Sequence, residues 1–439
     1  MLFDRLYGKI TFPKTIKALL TCPGLLRLRE IRLGNVPFLA FPSFAGCTRY
    51  EHSIGVCYLA ELAAKNLNLE LREKIELMIA CLYHDVATPP FAHAVEDVLK
   101  KKFGFAHEQH LYDLLTGRSD DLGRERAQVF QGRGLKLRKV SQTKVARELG
   151  LDLFEIADIA IGKGKLGSLI KSTVDLDNID NVIRAASAVG IREATNRVAE
   201  LLASSFILCN NEILLSEDAR EYLEKWQQIR YELYSLIYSD IKDFSFETMI
   251  KHAIEILIES SPENGGLRQE DWCLTENELI HNRLMRNPKT REIVIRMRFA
   301  DTYPCLGMFS YATPDPNRII DKVIPKLEND LKEFFKVNTI LNFSMDRRWR
   351  TRRSLDLHRP LTIFTSTRTF RKEEPIPSVI VGIFTPERIS KIKRFLENVS
   401  FLDFKELIIS SMPSDTKVRF LKFVKSRSQR DNSWESLTL

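Results

Sequence analysis

The sequence predicts a mainly α-helical protein that ends in a small α+β unit, and three observations lead there. Apolar residues recur at helical spacing over 14–21, 52–66, 70–84 and 91–102, with few β-branched runs among them. The same period resumes over 152–162, 178–204, 217–238, 246–259, 276–285 and 317–335. Beyond residue 336 the runs TILNF, LTIFTSTRTF and SVIVGIF are β-branched and aromatic, and PERISKIKRFLENV follows as a short amphipathic helix.

Breaks between the elements are set by local chemistry. Pro23, Pro42 and Pro89-Pro90 interrupt the N-terminal helices, because proline cannot donate to a helical ladder. The stretch 124–147 is crowded with Lys and Arg, carries Gly132 and Gly134, and reads as a basic loop. SSPENGG at 260–266 reads as a second loop, and the final SRSQRDNSWESLTL is polar enough to stay unfolded. No internal repeat is present.

A chain of 439 residues with 44% hydrophobic content is long enough for two or three domains with a sizeable core. Its start lacks the layout of a signal peptide, and no stretch approaches the roughly 20 apolar residues of a membrane span. A cytoplasmic protein without membrane contact is expected. The seven cysteines are scattered and form no CxxC pair, which argues against a disulfide framework or a zinc knuckle. A net charge of +8 and a pI near 9.0 favour an anionic partner such as a nucleotide, a nucleic acid or phosphate.

Five of the eight histidines fall between residues 52 and 110, which places the chemistry in the first quarter of the chain. His52, then His84-Asp85 at the end of the apolar run IELMIACLYHD, form a frame that can hold a divalent metal. Imidazole nitrogens beside carboxylate oxygens suit a borderline first-row ion, which generates a nucleophile from water at neutral pH. A fourth ligand is expected from the acidic cluster VDLDNID at 174–180, which opens a helix with an apolar face. His93 and Glu96 stand three apart in PPFAHAVE, so on a helix they share a face, and a carboxylate that orients an imidazole serves acid–base catalysis.

The ordered set TRYEHSIGVCYLA, LYHDVATPPFAHAVE, FAHEQH and DLDNIDNVIR resembles the HD-domain phosphohydrolases, in particular their deoxynucleoside triphosphate triphosphohydrolase branch. The opening YGKITFP and LLRLREIRLG is also similar to that branch. The resemblance implies an HD-domain helical bundle over residues 1–190, a helical extension over 191–335 and a small α+β subdomain over 336–439. It implies His52, His84, Asp85 and Asp177 as metal ligands, Asp177 being the second acid of the D-x-D pattern. His93 with Glu96 takes the acid–base role, His107 and His110 line the pocket, and Arg49 contacts phosphate. The ion could be manganese, iron, nickel, cobalt or zinc, with magnesium on the substrate phosphates. Relatives often assemble as dimers or tetramers, so a homo-oligomer is expected.

Several substrate-contacting positions of that branch are altered. Where it carries a basic residue, a tyrosine and an arginine-aspartate pair, this chain has Asn178, Asn181, Arg184 and Ala185, and Arg32 stands where a glutamine is usual. Thr88 occupies a position that is histidine or asparagine in relatives. Asn181 and Arg184 are therefore the expected substrate contacts on the last motif, in a pocket that has lost deoxyribose partners. The leading expectation is hydrolysis of a (deoxy)nucleoside triphosphate at the α-phosphorus, giving nucleoside and triphosphate. The alternative is a phosphodiesterase or exonuclease acting on single-stranded nucleic-acid ends, with 124–147 and DRRWRTRR at 346–353 meeting the backbone. A non-catalytic metal- or nucleotide-binding regulator is the third reading, and the His93-Glu96 pair speaks against it. Nucleotide-pool control and antiviral defence both suit such a hydrolase.

Overall fold

The computed structural model describes residues 1–34, 39–118, 146–172, 174–209, 212–260, 266–313, 316–345, 378–396 and 399–423. The segment 346–353, the C-terminal tail and all but two residues of 124–147 lie outside the described residues, as does LTIFTSTRTF. The chain divides into two compact units. One forms within Met1–Leu236 and Ile254–Pro288, the other within Ile237–Ala253, Lys289–Arg347 and Lys372–Leu439.

The first unit opens with an antiparallel hairpin of β1 (Leu2–Asp4) and β2 (Gly8–Ile10), in register Leu2 to Ile10. The Asp4 carboxylate ties the turn by accepting the backbone N–H groups of Leu6 at 2.8 Å and Tyr7 at 2.9 Å. Helices α1 (Lys14–Leu19), α2 (Pro23–Arg27) and α3 (Pro42–Ala45) follow, the last two beginning on the prolines that the sequence marks as breaks. Helix α4 (Arg49–Asn66) is capped by Thr48 and Glu51, which satisfy each other's exposed N–H groups in a capping box. Its residues from His52 to Ala64 are mostly buried, because it packs on both α5 (Leu71–Tyr83) and the later helix α10 (Leu176–Val189). Between these come α6 (His93–Phe103), α7 (His107–Thr116), α8 (Leu153–Ala160) and the short α9 (Gly164–Gly167).

The segment 178–204, expected as one helix, is two. Gly190 takes a left-handed φ of 95° that ends α10, and α11 (Asn196–Ala203) restarts beyond it. A β3–β4 hairpin (Phe206–Cys209 with Glu212–Leu215) follows before α12 (Arg220–Ser239). Helix α13 (Ile241–Glu259) continues the chain, and a short turn of helix, α14 (Glu276–Leu279), passes into a wider π-type turn at Ile280–Leu284.

The second unit is a four-stranded antiparallel sheet in the order β6-β7-β5-β8, formed by Ile340–Met345, Ser378–Phe384, Cys305–Ala312 and Lys417–Phe423. Its core joins Val379, Val381 and Ile383 of β7 to Leu327, Leu331 and Phe335 on a helix spanning Ile324–Phe335 and to Phe404 and Ile408 on one spanning Phe401–Ser411. The sheet reaches back to Cys305, ahead of the expected boundary at 336. CLGMFSYA is a central strand buried on both faces, so it lacks the alternation that marks a half-exposed strand.

One buried cation organises the loop that leads to the site. Arg27, 1% exposed, donates to the carbonyls of Leu274 at 2.9 Å and Val86 at 3.0 Å, and to that of Thr88. Replacing it by leucine removes donors from three carbonyls inside the fold. Arg27→Leu is expected to cost about 2–4 kcal/mol in chemical denaturation; a loss below about 1 kcal/mol would show that the loop does not depend on it.

Candidate metal centre

The expected ligands come from three helix ends. His52 lies one turn into α4, just past the Thr48 cap. His84 is the residue on which α5 stops, and Asp85 follows in a turn closed by Val86 N–H on the Tyr83 carbonyl at 3.0 Å and Thr88 N–H on the Asp85 carbonyl at 2.9 Å. Successive residues of a continuous helix point about 100° apart, so the stop is what lets adjacent side chains face one place. Asp177 sits in the first turn of α10, whose cap is Asp175. The Asp175 carboxylate accepts the N–H groups of Ser172 at 2.8 Å and Asn178 at 2.7 Å, and is committed there.

The side chains converge. One donor atom each from His52, His84 and Asp85 lies within 4.8 Å of the others. His52 Nε2 is 3.0 Å from Asp177 Oδ1 and 3.9 Å from Asp85 Oδ2, and His84 Nε2 is 3.7 Å from each of those oxygens. Ligands held about 2.1 Å from one ion stand roughly 3.0–3.5 Å from each other, so only small shifts separate this arrangement from a coordination shell. Asp177 is the most exposed of the four side chains, at 36%.

The hydrogen bonds around the two imidazoles show that the group fits. His84 Nδ1 donates to the Cys81 carbonyl at 2.7 Å, so in the neutral ring the lone pair is on Nε2, and that buried atom has no partner within hydrogen-bond distance among the described residues, the nearest oxygens of Asp85 and Asp177 being 3.7 Å away. His52 Nδ1 donates to the Asp180 carboxylate at 2.8 Å, so its Nε2 lone pair would face the oxygen of Asp177. Two acceptors at that distance need a positive charge between them. Without an ion, a second proton on His52 supplies it. Burial opposes that charge, but the Asp177 and Asp180 carboxylates outweigh burial and lift the His52 pKa to about 9. Burial likewise opposes charge on His84, and Asp85 and Asp177 raise it. Asp85 is held well below the usual carboxylate range despite burial, first by Arg49 and then by the imidazoles.

Other expected residues are placed as follows. Arg49 Nη1 donates to Asp85 Oδ2 at 2.7 Å, and the Thr88 hydroxyl donates to Asp85 Oδ1 at 3.0 Å. Glu96 accepts from His107 Nδ1, a partner not anticipated. His93 opens α6, and its side chain lies outside the described residues. Just ahead of it Phe91 and Ala92 hold left-handed φ values of 58° and 46°, an uncommon conformation for residues with a Cβ. His110 donates to the Ala106 carbonyl at 3.2 Å and packs against the rings of Phe105 and Trp272. Asn181 is half-buried one turn after Asp177.

Arg184 differs from the expectation. It is 1% exposed, and it gives Nε and Nη2 to Asp180 at 2.9 and 3.0 Å and Nη1 to Asp4 at 2.9 Å, so its donors are turned into the fold and not toward a substrate. Sequence reasoning missed Asp180 itself, together with Glu276, whose buried carboxylate holds Arg32. The signal for Asp180 was available: an acid and an arginine four apart on an otherwise apolar face call for each other.

A metal bound here must displace the extra proton on His52. The ion-free folded state carries that proton with a pKa of about 9, above the 6.5 of an ordinary histidine. Its stabilising contribution is therefore complete below about pH 6.5 and lost as pH rises through about 9. Apparent metal affinity should climb over the same interval, with about one or more protons released per ion near neutrality. Chelator competition across that range checks this, and an affinity independent of pH would contradict it.

The model of the HD domain family matches residues 49–132, which contain three of the four converging side chains. Over 405 residues the chain is 23% identical to the deoxynucleoside triphosphate triphosphohydrolase SAMHD1 homolog of Dictyostelium discoideum, covering 88% of this chain and 76% of that protein. It is 32% identical over 117 residues to SAMHD1 of Bos taurus, 24% of this chain and 20% of the bovine protein. It spans 43% and 57% of two further relatives. The crystal structure of a hypothetical protein from Aquifex aeolicus shares the fold, with a TM-score of 0.63 at 19% identity over 90% of this chain and 99% of that one. Residues 49–132 thus match the HD domain, and over most of its length the chain is similar to a deoxynucleoside triphosphate triphosphohydrolase.

Proposed function

We propose that the protein is a metal-dependent phosphohydrolase of nucleotides, cleaving a deoxynucleoside triphosphate at the α-phosphorus to nucleoside and triphosphate. The observation that carries this reading is the convergence of the His52 and His84 Nε2 atoms with an oxygen of Asp85, with Asp177 Oδ1 3.0 Å and 3.7 Å from those two nitrogens. A divalent ion bound there supplies Lewis-acid catalysis and activation of water. His52, His84, Asp85 and Asp177 are its proposed ligands, and the donor set suits manganese, iron, nickel, cobalt or zinc.

The remaining roles are proposed for other side chains of the first unit. Arg49 gives one Nη to Asp85, while its buried Nε has no hydrogen-bond partner among the described residues. A phosphate beside the centre would meet that donor, and guanidinium is shaped for such contacts. His107, held through Nδ1 by Glu96, keeps Nε2 for proton transfer to the departing nucleoside oxygen. His93 carries the same capacity by its match to the family motif. His110 lies three residues beyond His107 on α7, and Asn181 follows Asp177 on α10.

Sugar recognition is expected to be looser than in relatives. The tyrosine and acid of that motif are Asn181 and Ala185 here, and Arg184 is engaged in the fold. A site without a partner for a hydroxyl loses the discrimination which that partner gives.

The purified protein should release nucleoside and triphosphate from deoxynucleotides when supplied with one of these metals, in an assay that includes ribonucleotides and single-stranded DNA. Mononucleotides released from DNA alone would replace this reading with a nuclease, and metal binding without any cleavage would replace it with a regulatory protein. His84→Ala and Asp177→Ala should each remove bound metal and activity together; a metal-replete, active variant would refute the ligand assignment. His107→Ala should keep its metal and lose about 10²–10⁴ in kcat, and an unchanged kcat would remove His107 from the chemistry.

A further inference from the structure

We infer that the N-terminal hairpin is a working part of the metal centre: Asp4, Tyr7 and Arg184 fix the Asp180 carboxylate, and Asp180 holds His52 in the orientation that lets Nε2 ligate. This rests on the metal-centre reading above and assigns Asp180 as a positioning residue. None of the four supporting side chains lies within residues 49–132, which match the family model.

The two imidazoles reach the same tautomer by different means. His84 donates Nδ1–H to the carbonyl of Cys81, three residues back in its own helix, so α5 orients it locally. His52 has no such local acceptor. Its Nδ1 bond goes to Asp180, 128 residues away, at 2.8 Å. The orientation of His52 is therefore only as good as that of Asp180.

Asp180 is in turn saturated with donors. Besides His52 it accepts the Tyr7 hydroxyl at 2.8 Å and two guanidinium N–H groups of Arg184 at 2.9 and 3.0 Å. Arg184 also grips Asp4 at 2.9 Å, and the Asp4 carboxylate fixes the hairpin turn that carries Tyr7. The loop of contacts closes on itself. Asp4, Asp180 and Arg184 are each almost fully buried, where an unpaired charge would be costly. The two bonds from Arg184 offset the cost of burying the Asp180 carboxylate.

Two carboxylates around one guanidinium leave one negative charge behind His52. That charge strengthens the imidazole as a donor to a cation, and carboxylates placed behind ligating histidines act in this way. Helix α4 is also shaped for the arrangement. A Cβ on Gly55 would lie 2.8 Å from Asp180 Cγ and closer still to its Oδ1 and to Arg184 Nη2, so only glycine lets the pair approach one turn from His52.

Cobalt(II) is the probe, titrated into the metal-free full-length protein with its visible spectrum and affinity read together. Asp180→Asn is expected to lower cobalt affinity about 10–100-fold and to change the spectrum, since supporting carboxylates contribute on that scale. Tyr7→Phe, which deletes one hydroxyl, is expected to lower affinity about 2–10-fold, the worth of one hydrogen bond. Folded variants with unaltered affinity and spectrum would overturn the inference. If Asp180→Asn does not fold, Tyr7→Phe decides alone, and failure of both to fold would assign the network to stability and likewise overturn it. Wild-type protein that binds no cobalt would remove the metal reading and this inference with it, whereas binding that ignores both variants removes the inference alone.

Discussion

The structure depends on a concentration of lone pairs that only a positive charge can relieve. His52 and His84 each spend their Nδ1 proton on an acceptor behind them, which leaves both Nε2 atoms turned toward the oxygens of Asp85 and Asp177. Acceptors gathered in a buried place repel one another, and in a low dielectric the repulsion is large. A proton or an ion must answer it. The lifted pKa of His52 and the buried Nε2 of His84, with carboxylate oxygens of Asp85 and Asp177 3.7 Å away, are two signs of the same demand.

Much of the first unit can be understood as scaffolding for that demand. The Thr48 and Glu51 cap fixes where α4 begins, and so where His52 points. The end of α5 releases His84 and Asp85 from helical spacing, and Arg27 holds the loop that follows by its carbonyls. Arg49 and Thr88 each take one oxygen of Asp85. Asp175 serves as a cap so that Asp177, two residues on, is free to face inward. The cluster is thus held by backbone caps and buried ion pairs, whose energies are local and whose geometry is stiff.

What could be read from sequence followed from how short-ranged each signal is. The helices of the first unit carry their period in consecutive residues, and the family motif gathers His52, His84-Asp85 and Asp177 in order, so both were legible. The break at Gly190 was missed because apolar residues continue on either side of the left-handed glycine that begins the six-residue connection to Asn196. Strand β5 was missed because burial on both faces erases alternation. The partnership of Glu96 with His107, the pairing of Arg32 with Glu276 and the loop from Asp4 to Asp180 join residues far apart in sequence. Such pairs leave no periodic trace; Asp180 four residues back was a local sign that Arg184 is engaged in the fold, whereas its second partner, Asp4, lies 180 residues away.

The most direct measurement of the central claim is X-ray absorption at the metal edge of the loaded protein. Two imidazole nitrogens with carboxylate oxygens at about 2.0–2.2 Å are predicted, with the multiple scattering that imidazole rings produce. A shell of oxygens alone, without that imidazole signature, would contradict it.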